Sequence, residues 1–131
     1  MNNKASGPNS EITFGDFIKG RREEKQMSLR KCAAELNMNA TYLFDIEKGN
    51  RPAPEKKLDD FIRVLGIPES DLNEFYDLAG ISRQNNFPDI AEYIGNSELA
   101  RVALRTARDV NLTDSRWQEI INQMKNPTNG N

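Results

Sequence analysis

Basic side chains that could bind an anion are concentrated near the start of the chain. Residues 19–31 contain six basic and two acidic residues, whereas residues 55–81 contain three basic and seven acidic residues. The distribution of charge is a better indicator of the binding partner than the net charge of −2, because a protein contacts the phosphates of a nucleic acid with one face. The asymmetry favours a basic face toward phosphate and an acidic face away from it. Without any motif, however, both runs are more typical of ordinary solvated helix faces.

Residues that enzymes use for catalysis are scarce. The chain contains no histidine, the commonest general base and metal ligand, and only one cysteine, so a thiolate metal cluster and an internal disulfide are excluded. Asp59 and Asp60 fall at adjacent positions of an acidic helix and point in different directions. We therefore expect no enzyme, no cofactor and no metal site. Cys32 lies on the apolar face of a predicted helix, and we interpret it as a small buried hydrophobe rather than a redox sensor.

Two short helices joined by a tight turn are predicted over residues 28–49. The apolar residues of the first helix recur at steps of three and four and so form one face: Leu29, Cys32, Ala33 and Leu36. Ser28 can cap this helix, and Asn37 tolerates the left-handed conformation that a sharp turn needs. Asn39 can cap the second helix, which ends at Gly49. This arrangement is typical of a motif that places its second helix in the DNA major groove.

Amphipathic helices are predicted around this pair. Apolar residues at helical spacing predict a first helix over residues 11–25, a fourth over residues 55–65 and a fifth over residues 69–78. No segment shows the alternation typical of a strand, so we expect an all-α fold. The polar residues 1–10 are predicted to form a flexible arm and not a signal peptide. No apolar run approaches the roughly 18 residues that a membrane span needs.

Residues 14–80 resemble the Xre family of bacterial transcriptional regulators, the phage-repressor and Cro type. The motifs that carry the resemblance occur in order: residues 22–25 (Arg-Glu-Glu-Lys), Ser28-Leu29, Ala33, Tyr42-Leu43, and residues 45–51 followed by Pro52 and Pro54. The resemblance implies a five-helix, lambda-repressor-like DNA-binding domain over residues 11–81. The chain departs from the family at Asn37, where Gly is common, and at Leu29, where many relatives carry a Gln that helps to bind DNA.

The resemblance also implies which residues meet the bases. They lie on the exposed face at the start of the third helix: Ala40, Thr41, Phe44 and Asp45. Ala40 and the Thr41 methyl group could contact thymine methyl groups, and Asp45 could accept a hydrogen bond from a cytosine amino group. A local ion pair is an equal alternative for Asp45, whereas groove contact is favoured over core packing for Phe44. Since the set lacks Arg and Gln, discrimination is expected to rely on fit and DNA shape.

Polar and basic groups that flank the third helix are predicted to contact phosphates. They are Arg21, Arg30, Lys31, Asn39, Tyr42, Lys48, Asn50 and Arg51. Arg30 and Lys31 lie near the start of the second helix, where a helix N-terminus also favours an anion. Arg22 and Glu47 are expected to have a structural role instead. In the family these positions pair and tie the first helix to the third, so we expect a structural pair.

A helical extension is predicted over residues 82–131, and it begins with a polar linker at residues 82–86. Ser97 or Asn96 can cap one of its helices, and Thr113 or Asp114 can cap the last. Apolar side chains recur along them at helical spacing: Leu99, Val102, Trp117, Ile120, Ile121 and Met124. Helices of this length cannot bury their apolar faces alone, so they pack within the chain or on a second chain. Similar tails assist dimerisation in some Xre regulators, which favours a dimer.

The resemblance implies a sequence-specific regulator that binds double-stranded DNA. A homodimeric repressor is the favoured interpretation. One small module buries little surface, so useful affinity normally needs two half-sites about one helical turn apart, which predicts a near-palindromic operator. The alternative is an antitoxin-type module that binds a protein partner, such as a toxin or a peptidase, as well as operator DNA. We expect a cytoplasmic bacterial or phage protein associated with the nucleoid, without a cofactor or a membrane contact.

Overall fold

The computed structural model describes residues 12–127. Within these residues it contains eight α-helices, two short 3₁₀ helices and no strand. The α-helices are α1 (Phe14–Glu24), α2 (Leu29–Glu35), α3 (Ala40–Lys48), α4 (Leu58–Leu65), α5 (Leu72–Ser82), α6 (Pro88–Asn96), α7 (Glu98–Asp109) and α8 (Asp114–Lys125). The 3₁₀ helices Glu55–Lys57 and Glu69–Asp71 directly precede α4 and α5. The all-α prediction is confirmed, whereas the predicted arm at residues 1–10 lies outside the described residues.

Aromatic rings hold α1, α4 and α5 together. The rings of Phe14 and Phe61 meet edge-on with 5.7 Å between their centroids, and the rings of Phe14 and Phe75 lie 5.4 Å apart. Phe17 adds a further contact with Phe75 at 6.1 Å. Because these residues come from α1, α4 and α5, the largest buried side chains of the core connect those three helices.

Several helix boundaries differ from those predicted. The 3₁₀ helices occupy the predicted starts of α4 and α5, at residues 55 and 69. Thr13 and Asp16 form a capping box in which each side chain accepts a hydrogen bond from the backbone N–H of the other, so α1 begins at Phe14 and not at residue 11. At its end, α5 continues past Gly80 to Ser82. A Cβ at Gly80 would lie 2.7 Å from Cγ of Phe87, so the missing side chain makes room for that ring.

The chain divides into two compact units, Met1–Ala91 and Glu92–Asn131. In the second unit, Ser97 accepts a hydrogen bond from the N–H of Ala100 and caps α7, and Thr113 accepts one from the N–H of Arg116 and caps α8. Neither α7 nor α8 contains a buried residue. No helix in the described part of the chain combines the length and the apolar character needed to cross a membrane.

Candidate nucleic-acid interface

α2 and α3 form a helix-turn-helix whose turn is specified by local sequence. Asn37 adopts the left-handed conformation with φ of 55°, and the N–H of Met38 donates to the carbonyl of Ala33 at 2.9 Å. Ser28 caps α2, and the Asn39 side chain accepts a hydrogen bond from the N–H of Thr41 at 2.7 Å and caps α3. The orientation of α3 relative to α2 therefore follows from these few residues.

The C-terminal half of α3 packs closely on α1. A Cβ at Gly15 would lie only 2.5 Å from the carbonyl oxygen of Ile46, so only glycine allows the two helices to approach this closely. This contact of Gly15 was not predicted from the sequence. A glycine inside a helix pattern gives no sign of which distant backbone it faces.

Arg22 of α1 forms a two-pronged ion pair with Glu47 of α3. Its Nε donates to Oε2 at 2.7 Å and its Nη2 donates to Oε1 at 3.0 Å, while Nη1 donates to the carbonyl of Met27. The two side chains are only 12% and 6% exposed. The hydrogen bond with Glu47 raises the pKa of Arg22, so the guanidinium stays charged. The pair therefore holds α3 against α1.

The residues predicted to meet bases lie at the start and on the outer side of α3. Thr41 is exposed, Phe44 is 45% exposed, and Ala40 packs partly against the core. Asp45 is half-buried, and its carboxylate lies 3.6 Å from Nε of Arg51. The structure thus places Asp45 in a local ion pair with a residue of the following loop.

Two predicted phosphate ligands lie over aromatic rings of α3. The guanidinium of Arg51 lies 4.9 Å from the ring centre of Tyr42, and Nζ of Lys48 lies 5.5 Å from that of Phe44. Such contacts between a cation and an aromatic face are favourable and limit the range of positions that a side chain samples. The structure therefore brings Tyr42, Asp45 and Arg51 together as one group, and Phe44 and Lys48 as another.

The other side chains predicted to contact phosphates differ in exposure and in whether they form an ion pair. Arg30, Asn39 and Asn50 are exposed, and Lys31 is exposed but pairs with Glu35. Arg21 is the least free, because its guanidinium pairs with Asp71 and lies over the ring of Phe17. A phosphate contact by Arg21 would require it to leave that ion pair.

A groove of about 260 Å³ borders the outer side of α3. Its lining is formed by Lys19, Arg22, Leu29, Phe44, Glu47 and Lys48. Leu29, the position where many Xre regulators carry Gln, and Phe44 contribute apolar walls, and Lys19 and Lys48 contribute positive charge. This combination suits a ligand with apolar and anionic parts close together.

Ser82 and Arg83, predicted to lie in a polar linker, are also part of the site. Both form hydrogen bonds with the backbone of Ala53, in the loop that follows α3. The only sequence feature that points to such a contact is the pair of prolines around Ala53. Pro52 and Pro54 lack a backbone N–H, so Ala53 carries the one backbone donor of that stretch.

Comparisons with known proteins agree on the first half of the chain. Residues 13–75 match a family model described as a helix-turn-helix domain. Control protein C.BamHI of Bacillus amyloliquefaciens is 32% identical over 68 residues, which cover 51% of this chain and 84% of that protein. No solved structure matches the chain significantly.

Proposed function

The chain belongs to the Xre family of helix-turn-helix regulators, and we propose that it is a homodimeric repressor that inserts α3 into the major groove of a near-palindromic operator. That it is a DNA-binding transcriptional regulator follows from its family. The observation that supports the binding mode is the exposed start of α3, which is held from behind by Gly15 and by the Arg22–Glu47 pair. We infer that the protein acts in the cytoplasm of a bacterium or a phage host.

Base recognition is proposed for the outer side of α3. The methyl groups of Ala40 and Thr41 and the ring of Phe44, with Leu29 beside it in the groove, suit thymine methyl groups. Asp45 suits a cytosine amino group once its carboxylate leaves Arg51. Few of these contacts are bidentate, so DNA shape contributes to discrimination.

Phosphate contacts are proposed for the groups that flank α3. They are Arg30, Lys31, Asn39, Tyr42, Lys48, Asn50 and Arg51, with Arg21 as a weaker candidate because of its pair with Asp71. These contacts fix the register of the protein on the duplex and provide most of its sequence-independent affinity.

Dimerisation is proposed for the apolar side chains of α7 and α8. Leu99 is 79%, Met124 66% and Val102 45% exposed, and Trp117, Ile120 and Ile121 are half-buried. We infer that these side chains form an exposed apolar patch, a feature typical of protein contact sites. A second copy would cover this surface and would place two α3 helices on the DNA.

The proposed function is tested by selecting bound duplexes from a randomised pool and footprinting the protein on the most enriched sequence. We expect two inverted half-sites about one helical turn apart. Thr41→Ala should reduce the preference for the selected sequence over other sequences, whereas the control Ser115→Ala should not. A reporter gene behind the selected site should be repressed when the chain is present. No enrichment of any sequence at low salt would contradict DNA recognition, and a single protected half-site with a monomer in sedimentation would contradict the dimer.

A further inference from the structure

Ala53 is a fully buried residue in the loop between α3 and the 3₁₀ helix Glu55–Lys57. A buried backbone N–H or carbonyl without a partner is costly, so both groups of Ala53 need partners. Both partners come from the end of α5. The N–H of Ala53 donates to Oγ of Ser82 at 3.1 Å, and its carbonyl accepts from Nη1 of Arg83 at 2.9 Å.

Further contacts hold these two side chains in place. Oγ of Ser82 donates to the carbonyl of Ala79 at 2.7 Å, which directs its lone pairs toward Ala53. Nη2 of Arg83 lies 3.8 Å from the carboxylate of Glu55, and the Arg83 side chain is only 25% exposed. We call Ser82 and Arg83 the loop clamp, because two consecutive residues hold both polar groups of one loop residue.

The loop that the clamp holds carries predicted phosphate ligands. Arg51 is separated from Ala53 only by Pro52, whose ring fixes one backbone angle of the connection. A fixed Ala53 therefore restricts where the backbone of Arg51 can lie, and with it the position of the guanidinium over Tyr42. Asn50 lies one residue further from the clamp.

We propose that Ser82 and Arg83 are positioning residues for DNA binding, which act by holding Ala53 and thereby keeping Arg51 at the phosphate-facing end of α3. This inference rests on the proposed function, since it assigns a role within the same DNA-binding surface. Neither residue contacts DNA itself. They affect binding only by setting the position of Arg51.

The test measures the affinity of the full-length chain for a random-sequence duplex over a range of salt concentrations. Ser82→Ala removes one hydrogen bond to the loop, and we expect binding to weaken about three- to tenfold. The slope of log affinity against log salt should become shallower by about one, as for the loss of one phosphate contact. Ser115→Ala, at an exposed position of α8, is the matched control and should change neither quantity.

A double-mutant cycle with Arg51→Ala separates positioning from general destabilisation. If the clamp acts through Arg51, Ser82→Ala should have almost no effect on binding in the Arg51→Ala background. Equal losses in both backgrounds, or an unchanged salt slope, would overturn the proposal. Arg83→Lys, which keeps the charge but not the planar fork, provides a second variant and should give the same pattern.

Hydrogen exchange at the Ala53 amide distinguishes failure of this inference from failure of the proposed function. We expect Ser82→Ala to speed exchange of this amide by about three- to tenfold in the free protein, without DNA. Unchanged protection would overturn the clamp even if the wild-type chain binds DNA. Faster exchange together with a wild-type chain that binds no duplex would instead overturn the proposed function.

Discussion

Individual charges on the proposed DNA-facing surface already have partners in the free chain. Arg51 pairs with Asp45, and Lys48 lies over the ring of Phe44. An exposed ion pair contributes only about 0–1 kcal/mol, because water and salt screen it. We therefore expect that a DNA phosphate displaces Asp45 from Arg51 at little cost.

Replacing Lys48 and Arg51 together by Ala should weaken binding to all duplexes alike. Each residue is expected to neutralise one phosphate, so the slope of log affinity against log salt should become shallower by about two. Fluorescence anisotropy with several unrelated duplexes over a salt series measures this slope. Arg63→Ala, which removes an exposed charge paired with Asp60 on α4, serves as the control, and an unchanged slope in the double variant would contradict the phosphate assignment.

Cys32 should be inert in the folded chain. The residue is 1% exposed, and burial raises the pKa of its thiol from 9.0 to about 11. The neutral thiol contributes fully to stability below pH 9.0, and this contribution is lost as the pH rises toward 11, because the unfolded chain ionises first. At pH 8, iodoacetamide should label Cys32 only when the fold opens, and therefore far more slowly than in denaturant, as followed by mass spectrometry. Labelling at the rate seen in denaturant would contradict this expectation.

The packing of α1 on α3 depends on one glycine, and a second glycine of α1 offers a matched comparison. Gly15→Ala places a methyl group against the backbone of α3, and we expect it to lower the free energy of unfolding by about 1–3 kcal/mol. A Cβ at Gly20 has no atom within 4 Å, so Gly20→Ala should instead stabilise the chain by about 0.5–1 kcal/mol. Urea denaturation followed by circular dichroism measures both. Equal effects of the two substitutions would contradict the close helix contact.

The sequence predicted the helices better than the contacts between them. The periodicity of Leu29 to Leu36 and the caps Ser28 and Asn39 are local, so they could be recognised from a few neighbouring residues. The contact of Gly15 with Ile46 and the binding of Ala53 by Ser82 join residues about thirty positions apart. No local pattern encodes such pairs, because they depend on how the helices are arranged in space. The pairing of Arg22 with Glu47 was expected only through the family resemblance.

At the scale of the whole molecule, the proposed dimer depends on the exposed apolar side chains of α7. Replacing Leu99 and Val102 together by Glu places two charges on the proposed contact surface, and we expect a dimer to become a monomer. Sedimentation equilibrium measures the change, and operator affinity should fall because the half-sites then bind separately. Ser115→Glu, at an exposed polar position of α8, is the control. A variant that sediments like the wild-type chain would contradict this contact surface.

The stacking of Arg51 on Tyr42 has a consequence for the thermodynamics of association. A free arginine side chain loses up to about 2 kcal/mol of rotamer entropy when it is immobilised. Here part of that loss occurs during folding, because the guanidinium already lies over the ring of Tyr42 in the free chain. In the proposed complex a duplex would therefore meet a partly preorganised cation, which lowers the entropic cost of binding through Arg51.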